Sequence, residues 1–207
     1  MSESEEKDVY KTIAAETEEV LFKDRNSKFF GIAFPVKTET EIKTCLENLK
    51  NKHPKAGHFC YAWQLGKNYE LYRANDDGEP ANSAGMPIFG QLQSFEATNV
   101  LVVVLRYFGG TKLGVSGLIN AYRTTAKMAL EEAKIIEKTI DLSYKISFDY
   151  PVMNKVMRIV KEQNLTVVDQ ILELDCVLFI SVRKKDAERI FNMFDAIFGV
   201  KIESLED

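Results

Sequence analysis

Several residue types and patterns are scarce or missing in this chain of 207 residues. It has one tryptophan, two histidines, five prolines and three cysteines. Cys45, Cys60 and Cys176 are odd in number, far apart and without C-x-x-C spacing, which argues against a disulfide framework or a zinc site. No window approaches the roughly 18 apolar residues of a membrane span. These absences favour a protein of the reducing cytoplasm, with no structural metal.

The net charge of the chain does not indicate a class of binding partner. Charged residues make up 28% of the chain, and the net charge of −4 is too small to name a partner. The acidity is local, because residues 1–20 hold seven acids against two lysines. The first residues, Met1–Glu6, lack the apolar segment of a secretory signal, and we expect a solvated terminus there. Residues 100–134 carry a net charge of +3, a mild positive region that does not by itself predict nucleic-acid binding.

The hydrophobic pattern predicts an α+β protein with two domains, residues 1–137 and residues 138–207. In the first, hairpins and helices surround one very apolar strand, residues 100–105, whose valine and leucine run predicts burial on both faces. In the second, the order strand, helix, two strands, helix and strand is the βαββαβ pattern of ferredoxin-like domains. Helices are predicted from Thr38 or Thr40, over residues 85–95, from Leu118, and over residues 151–163 and 185–198.

Two glycine-rich polar segments flank the apolar strand, residues 76–85 (DDGEPANSAG) and residues 106–117 (RYFGGTKLGVSG). The second segment joins a strand end to a helix start, where free backbone N–H groups favour anions. Lys112 and Arg106 would add positive charge. The segment contains neither a P-loop nor a G-x-G-x-x-G motif. A phosphate or carboxylate site and a tight packing loop with a solvated lysine both fit this spacing.

The acids of the first segment allow three interpretations. Asp76, Asp77 and Glu79 offer oxygen ligands of the kind that Mg²⁺ prefers. They depart from the EF-hand pattern, however, and acids so placed often form side-chain turns with the local backbone. They can also form ion pairs with basic residues of the second segment and the helix after it. We favour turn formation and ion pairing over a metal.

His58 and Cys60 lie two residues apart on a predicted strand and therefore share a face. A Cys–His nucleophile is one interpretation of that pair. No third residue that would orient the histidine can be identified from the sequence, so a histidine that supports a loop by hydrogen bonding is favoured.

Taken together, the two segments resemble the YigZ/IMPACT family, and the residues after Lys138 resemble the small C-terminal domain of its bacterial members. Asn82 and Ser116 stand where the family commonly has glycine, and Asn120 stands where a basic residue is frequent. The positions that match the family pattern are Asp76, Asp77, Gly78, Glu79, Pro80, Ala84, Gly85, Arg106, Tyr107, Gly109, Gly110, Lys112, Leu113, Gly114 and Gly117.

The family resemblance implies a fold for each domain and a role in translation. The N-terminal domain should adopt the left-handed βαβ fold of the fourth domain of elongation factor G, and the C-terminal domain should resemble that factor's fifth domain. Eukaryotic members of the family regulate translation by competing for an activator of a stress-responsive kinase. Bacterial members are thought to bind nucleic acid or ribosomes.

We therefore predict a non-enzymatic cytoplasmic factor linked to translation or its regulation, with no cofactor, no metal and no membrane partner. It would bind RNA, the ribosome or a translation-related protein through a crevice between the two segments, with its basic residues on phosphate. Alternatives are an enzyme acting on a phosphorylated small molecule and a protein-interaction module. The residues assigned to the crevice are Asp76, Asp77, Glu79, Ser83, Arg106, Tyr107, Gly109, Gly110, Lys112, Gly114 and Arg123.

Overall fold

The computed structural model describes residues 8–205 and divides them into two compact units. The N-terminal unit is Tyr10–Lys138, and the C-terminal unit contains residues 139–205 together with Asp8 and Val9. The chain thus changes unit after Lys138, and its first described residues group with the C-terminal unit rather than with residues up to 137. The acidic start expected to be solvated, residues 1–7, lies outside the described part.

The N-terminal unit is built on a five-stranded antiparallel sheet with the order β2-β3-β6-β4-β5, and β1 and β7 form a separate two-stranded sheet. The strand that the sequence marks as most apolar is the central one. The elements in chain order are β1 (Val9–Ile13), β2 (Val20–Asp24), β3 (Ser27–Pro35), α1 (Glu39–Lys52), β4 (His58–Leu65), β5 (Leu71–Asn75), α2 (Gly85–Ser94), β6 (Val100–Tyr107), α3 (Gly114–Glu132) and β7 (Ile135–Thr139).

Strand β6 is buried on both faces, as its unbroken apolar run predicts. Successive side chains of a strand point to opposite faces, so one set of residues packs with α2 and α3 and the other with α1. The sheet is therefore the middle layer of three. The first set is Val100, Val102 and Val104, and the second is Leu101, Val103 and Leu105, all fully buried.

Helix α1 begins where its cap predicts. The Thr38 side chain accepts a hydrogen bond from the Glu41 N–H at 3.2 Å, and this satisfies one of the backbone donors that a helix start leaves free. Glu39 and Glu41 in the first turn and Lys50 and Lys52 in the last turn suit the helix dipole. Of the two threonines that the sequence offered, Thr38 is thus the cap.

The C-terminal unit has the predicted βαββαβ order in a four-stranded antiparallel sheet, β11-β8-β10-β9. Alternate residues of its strands form one core with α4 and α5, so both helices cover the same sheet face. The elements are β8 (Asp141–Asp149), a 3₁₀ turn (Tyr150–Val152), α4 (Met153–Glu162), β9 (Thr166–Leu172), β10 (Asp175–Arg183), α5 (Ala187–Asp195) and β11 (Val200–Leu205).

The structure of residues 8–205 describes the three cysteines, the helices and the clusters of titratable side chains. Cys45, Cys60 and Cys176 are free thiols. Within that range, none of the helices combines the length and the hydrophobicity that a bilayer crossing requires. The same residues contain no group of three or more histidine, cysteine or acidic side chains that could hold a metal ion.

Because β6 is buried on both faces, we predict that shortening a side chain on either face destabilises the fold. Val102→Ala and Val103→Ala should each lower the free energy of unfolding by about 1–3 kcal/mol, since both remove buried methyl groups and leave a cavity. Val115→Ala, at a position that is 52% exposed, should change it by less than about 0.5 kcal/mol. Urea denaturation measures all three. A negligible loss at one of the two strand positions would contradict burial on that face.

Candidate functional site

The two glycine-rich segments lie side by side and are joined by a buried ion pair. Arg106, near the end of β6, donates from Nη1 to Glu79 Oε1 at 2.7 Å, and the two side chains are only 6% and 5% exposed. Charges removed from water require a partner, because an unpaired one would lose its solvation without compensation. Ion pairing, one of the interpretations that the sequence left open, is therefore what the structure shows for Glu79.

A third element converges on the same carboxylate. The Tyr122 hydroxyl of α3 donates to Glu79 Oε1 at 2.8 Å, and burial raises the pKa of this tyrosine, which keeps it a neutral donor. The Arg106 guanidinium also lies 5.5 Å from the Phe29 ring and 5.3 Å from the Phe108 ring. Sequence reasoning missed Tyr122, although a tyrosine on the apolar face of a helix is a signal that its hydroxyl needs a buried partner.

This geometry corrects the role assigned to Arg106. A residue that is buried, paired with Glu79 and enclosed by aromatic rings is not available to an external phosphate. Its Nη2 lies 3.4 Å from Ser27 Oγ, and its buried Nε–H has no hydrogen-bond partner in the described part of the chain. Arg106 and Glu79 hold the two segments together.

The remaining acids of the first segment organise the backbone. The two oxygens of Asp76 accept hydrogen bonds at 2.8–2.9 Å from three backbone N–H groups at the start of α2. Asp77 accepts from the Phe59 N–H of β4 at 2.6 Å, and its own N–H donates to the Asn75 side chain. The Ser83 hydroxyl donates to the Pro80 carbonyl at 2.6 Å. The contacts of the Asp77 N–H and of Ser83 are local turns, whereas the Asp76 carboxylate caps the start of α2 and the Asp77 carboxylate ties the segment to β4.

Two backbone positions explain why the segments need unusual residues. A side chain at Gly109 would place its Cβ 2.1 Å from the carbonyl carbon of Asn26, so only glycine permits this approach between the second segment and β3. Asn82, which replaces a glycine common in the family, has a φ of 59°. Asparagine tolerates this left-handed conformation better than most residues, so the replacement costs little.

The outward side of the second segment is solvent-exposed. Gly110 and Lys112 are exposed, Phe108 is 57% exposed, and α3 begins at Gly114 without a side-chain cap and without an acid in its first turn. Among the described residues, no carboxylate lies within ion-pair distance of Lys112. This surface therefore presents a lysine, an aromatic ring and the uncapped N-terminus of a long helix.

Arg123 is exposed but does not enter the contacts between the segments. It lies on α3, seven residues after Ser116 and three after Asn120, and these spacings put all three on one face of the helix. Lys127, four residues further, continues that face and pairs with Glu131 at 3.4 Å. The exposed face of α3 is thus polar and carries two basic residues.

Tyr107 belongs to the opposite side of the sheet, so its assignment to the crevice is wrong. Its hydroxyl lies 3.0 Å from His53 Nδ1, and His53 Nε2 lies 3.0 Å from Glu19 Oε1. Lys52 also contacts Glu19, at 2.5 Å. Neighbouring strand residues alternate between faces, so a motif that places Arg106 on one face necessarily places Tyr107 on the other. No sequence motif pointed to the contacts among Glu19, His53 and Tyr107.

The pair His58 and Cys60 does not have the geometry of a nucleophilic site. The Cys60 thiol is buried and donates to the Asp76 carbonyl at 3.0 Å, and burial raises the pKa of Cys60, which disfavours the thiolate. His58 Nδ1 lies 2.8 Å from the Asp77 carbonyl, so the histidine supports the first segment, as the favoured interpretation has it.

Comparison with known proteins identifies the family. Residues 25–130, just over half of the chain, match the Impact N-terminal domain. The chain belongs to the IMPACT family. It is 35% identical over 136 residues to the IMPACT family member YvyE of Bacillus subtilis, a match that covers 66% of this chain and 63% of that protein. The chain therefore aligns with less than two thirds of that relative's length.

Two further matches cover more of this IMPACT family member. An IMPACT family member of Haemophilus influenzae is 30% identical over 176 residues, which cover 82% of this chain and 84% of that protein. A crystal structure of a hypothetical protein superposes with a TM-score of 0.72 at 23% identity, over 97% of this chain and 99% of that one. At this identity the structural match establishes a shared two-domain fold and nothing about activity.

The buried pair predicts strong non-additivity. Glu79→Ala leaves the Arg106 charge buried without its partner and should lower the free energy of unfolding by about 3–5 kcal/mol. Replacing both residues, in Arg106→Met with Glu79→Leu, should cost far less than the two single changes together. A double-mutant cycle from urea denaturation measures the coupling. Additive effects would show that the two charges do not depend on each other.

The Glu19 cluster predicts a pH dependence of stability. Burial on its own would raise the pKa of Glu19, but hydrogen bonds from Lys52 and His53 outweigh it and hold the pKa below its ordinary value of 4.5. A lowered carboxyl pKa stabilises the fold above the ordinary value, and that stability is lost as pH falls through the lowered one. Denaturation midpoints between neutral and acidic pH should therefore fall less steeply for Glu19→Gln than for the wild type. Glu47→Gln, on the exposed face of α1, should leave the profile unchanged.

Proposed function

We propose that this protein is a factor linked to translation or its regulation that acts by binding rather than by catalysis. Membership of the IMPACT family supports this proposal, because the family resemblance implies a role in translation and a partner that is RNA, the ribosome or a translation-related protein. Of these partners we favour RNA, within the ribosome or alone.

One observation supports the proposal most directly: of the two basic residues in the second segment, one is buried and the other is exposed. Arg106 is neutralised internally by Glu79, whereas Lys112 is exposed beside the uncapped start of α3. Backbone N–H groups at a helix start and a nearby lysine are the donors that bind phosphate oxygens. Phe108 adds an exposed ring on which a base can stack.

The proposed binding surface is therefore the outward side of the second segment and the exposed face of α3, not the interior between the two segments. Arg123 lies nine residues after Gly114, which is about 13 Å along the helix axis at 1.5 Å per residue. A nucleic-acid strand running along α3 could contact Lys112 and Arg123 through two separate phosphates of its backbone. The buried contacts of Glu79 and Tyr122 would keep this surface rigid.

Co-sedimentation with ribosomes at two salt concentrations tests the proposal. Lys112→Ala and Arg123→Ala should each weaken association several-fold and reduce its salt dependence, because each removes about one phosphate contact. The matched control is Lys43→Ala, which removes another exposed positive charge, from α1 on the other side of the same sheet. Unchanged sedimentation of both surface variants would overturn the assignment, and so would an equal loss in the control.

A further inference from the structure

The C-terminal unit concentrates exposed apolar side chains at one end of its sheet. Tyr150 is 62% exposed, Leu174 is 89% exposed and Phe198 is 99% exposed. Leu172, the last residue of β9, is 44% exposed. Single exposed apolar residues are ordinary on protein surfaces, but a cluster of large ones marks an interaction site.

Strand register places these four residues at the same end of the sheet, with Leu172 on the face that α4 and α5 cover. Asp175 at the start of β10 pairs with Asp149 at the end of β8, so Leu174 and Tyr150 leave adjacent strands at the same end. Val200 at the start of β11 pairs with Phe148 of β8, which brings Phe198 to that end as well. Neighbouring strands lie about 4.8 Å apart, so the cluster extends over roughly 15 Å across the four strands.

Contacts between the loops agree with this placement. A Cβ at Gly199 would lie 3.6 Å from Val152 Cγ2, so the loop before β11 packs beside the 3₁₀ turn after β8. The Cys176 thiol donates to the Glu173 carbonyl at 3.2 Å and closes the turn that presents Leu174. An open concavity of about 480 Å³ adjoins the cluster and is lined by residues that include Asp149, Val177 and Lys201. We call Tyr150, Leu172, Leu174 and Phe198 the apolar end.

The apolar end is bordered by acids. Asp149 and Asp175 stand directly opposite each other on neighbouring strands, an arrangement that destabilises a sheet when both are charged. Glu173 and Asp195 lie in the turn before β10 and at the end of α5. All four are exposed, and none has an ion-pair partner among residues 8–205. Lys201, on the same side, pairs with Glu203 instead.

We propose that the apolar end is a docking site for a protein segment that carries lysine or arginine next to aliphatic or aromatic side chains. Such a segment would cover the exposed rings of Tyr150 and Phe198. Its lysine or arginine would also act as the ion-pair partner of Asp149 and Asp175, which repel each other. The same acids oppose RNA and anionic lipid. They also oppose a second copy of this chain, because a two-fold interface would bring acid against acid. The proposal uses none of the residues of the α3 surface, so either can fail alone.

Fluorescence anisotropy of the full chain with three labelled peptides tests the docking site. The first peptide alternates lysine with leucine and phenylalanine, the second replaces its lysines by glutamate, and the third replaces its apolar residues by serine. Only the first should bind well. Leu174→Ser with Phe198→Ser should weaken it at least about tenfold, or 1.4 kcal/mol. Asp149→Asn with Asp175→Asn should weaken it and reduce the salt dependence of binding.

The matched control is Leu71→Ser, at a leucine that is 58% exposed on β5 of the N-terminal unit and should not affect binding. Circular dichroism verifies that the variants are folded. Three results would overturn the proposal: equal binding of the acidic peptide, binding that survives both double substitutions, or loss of binding in the control. Self-association by sedimentation velocity that disappears in Phe198→Ser, or binding to phosphatidylserine vesicles by the same residues, would replace the peptide by a second copy or a membrane and would also overturn it.

Discussion

The buried ion pair between Arg106 and Glu79 is the interaction on which the arrangement of the two glycine-rich segments depends. Strand β6 fixes the position of Arg106 in the sheet, and burial of its charge requires a carboxylate within hydrogen-bond distance. Glu79 meets that requirement only if residues 76–85 fold back over the end of β6. Asp76 then caps α2, and Tyr122 of α3 donates to the same carboxylate. One charge pair thereby fixes a strand, a loop and the position of two helices.

This arrangement separates structural residues from surface residues within one motif. In the sequence, Asp76, Asp77 and Glu79 look like ligands of a metal or groups that orient a phosphate-binding residue. In the structure, the two aspartates accept hydrogen bonds from backbone N–H groups, and Glu79 pairs with Arg106. What remains for a partner is the outward side: Lys112, Phe108 and the exposed face of α3. In the C-terminal unit the division is similar, since one sheet face packs with α4 and α5 while the apolar end and its acids face solvent. The two surfaces differ in sign of charge, so they suit partners of different chemistry.

Features that depend on local periodicity could be predicted from the sequence. The two-sided burial of β6 and the βαββαβ order follow from spacings of a few residues, the start of α1 was narrowed to Thr38 or Thr40, and the family followed from two short motifs. Partners that are distant in the chain could not be predicted. Tyr107 carries a family motif next to Arg106 yet serves the opposite sheet face, where it meets His53 and Glu19. The left-handed crossover implied by the family resemblance stays a prediction.

The sequence by itself determined most of the strands and helices, although not β1 and β7, and it marked the two glycine-rich segments as unusual. Hydrophobic period and turn chemistry are local, so they can be read without coordinates. Only the tertiary structure decided which polar and charged residues of the two glycine-rich segments are buried. Lysine and arginine look equivalent in a glycine-rich loop, but the sheet places Arg106 inside against Glu79 and leaves Lys112 in solvent. Leu174 and Phe198 are distant in the sequence, but they lie at the same end of a sheet because strand register brings three turns to that end.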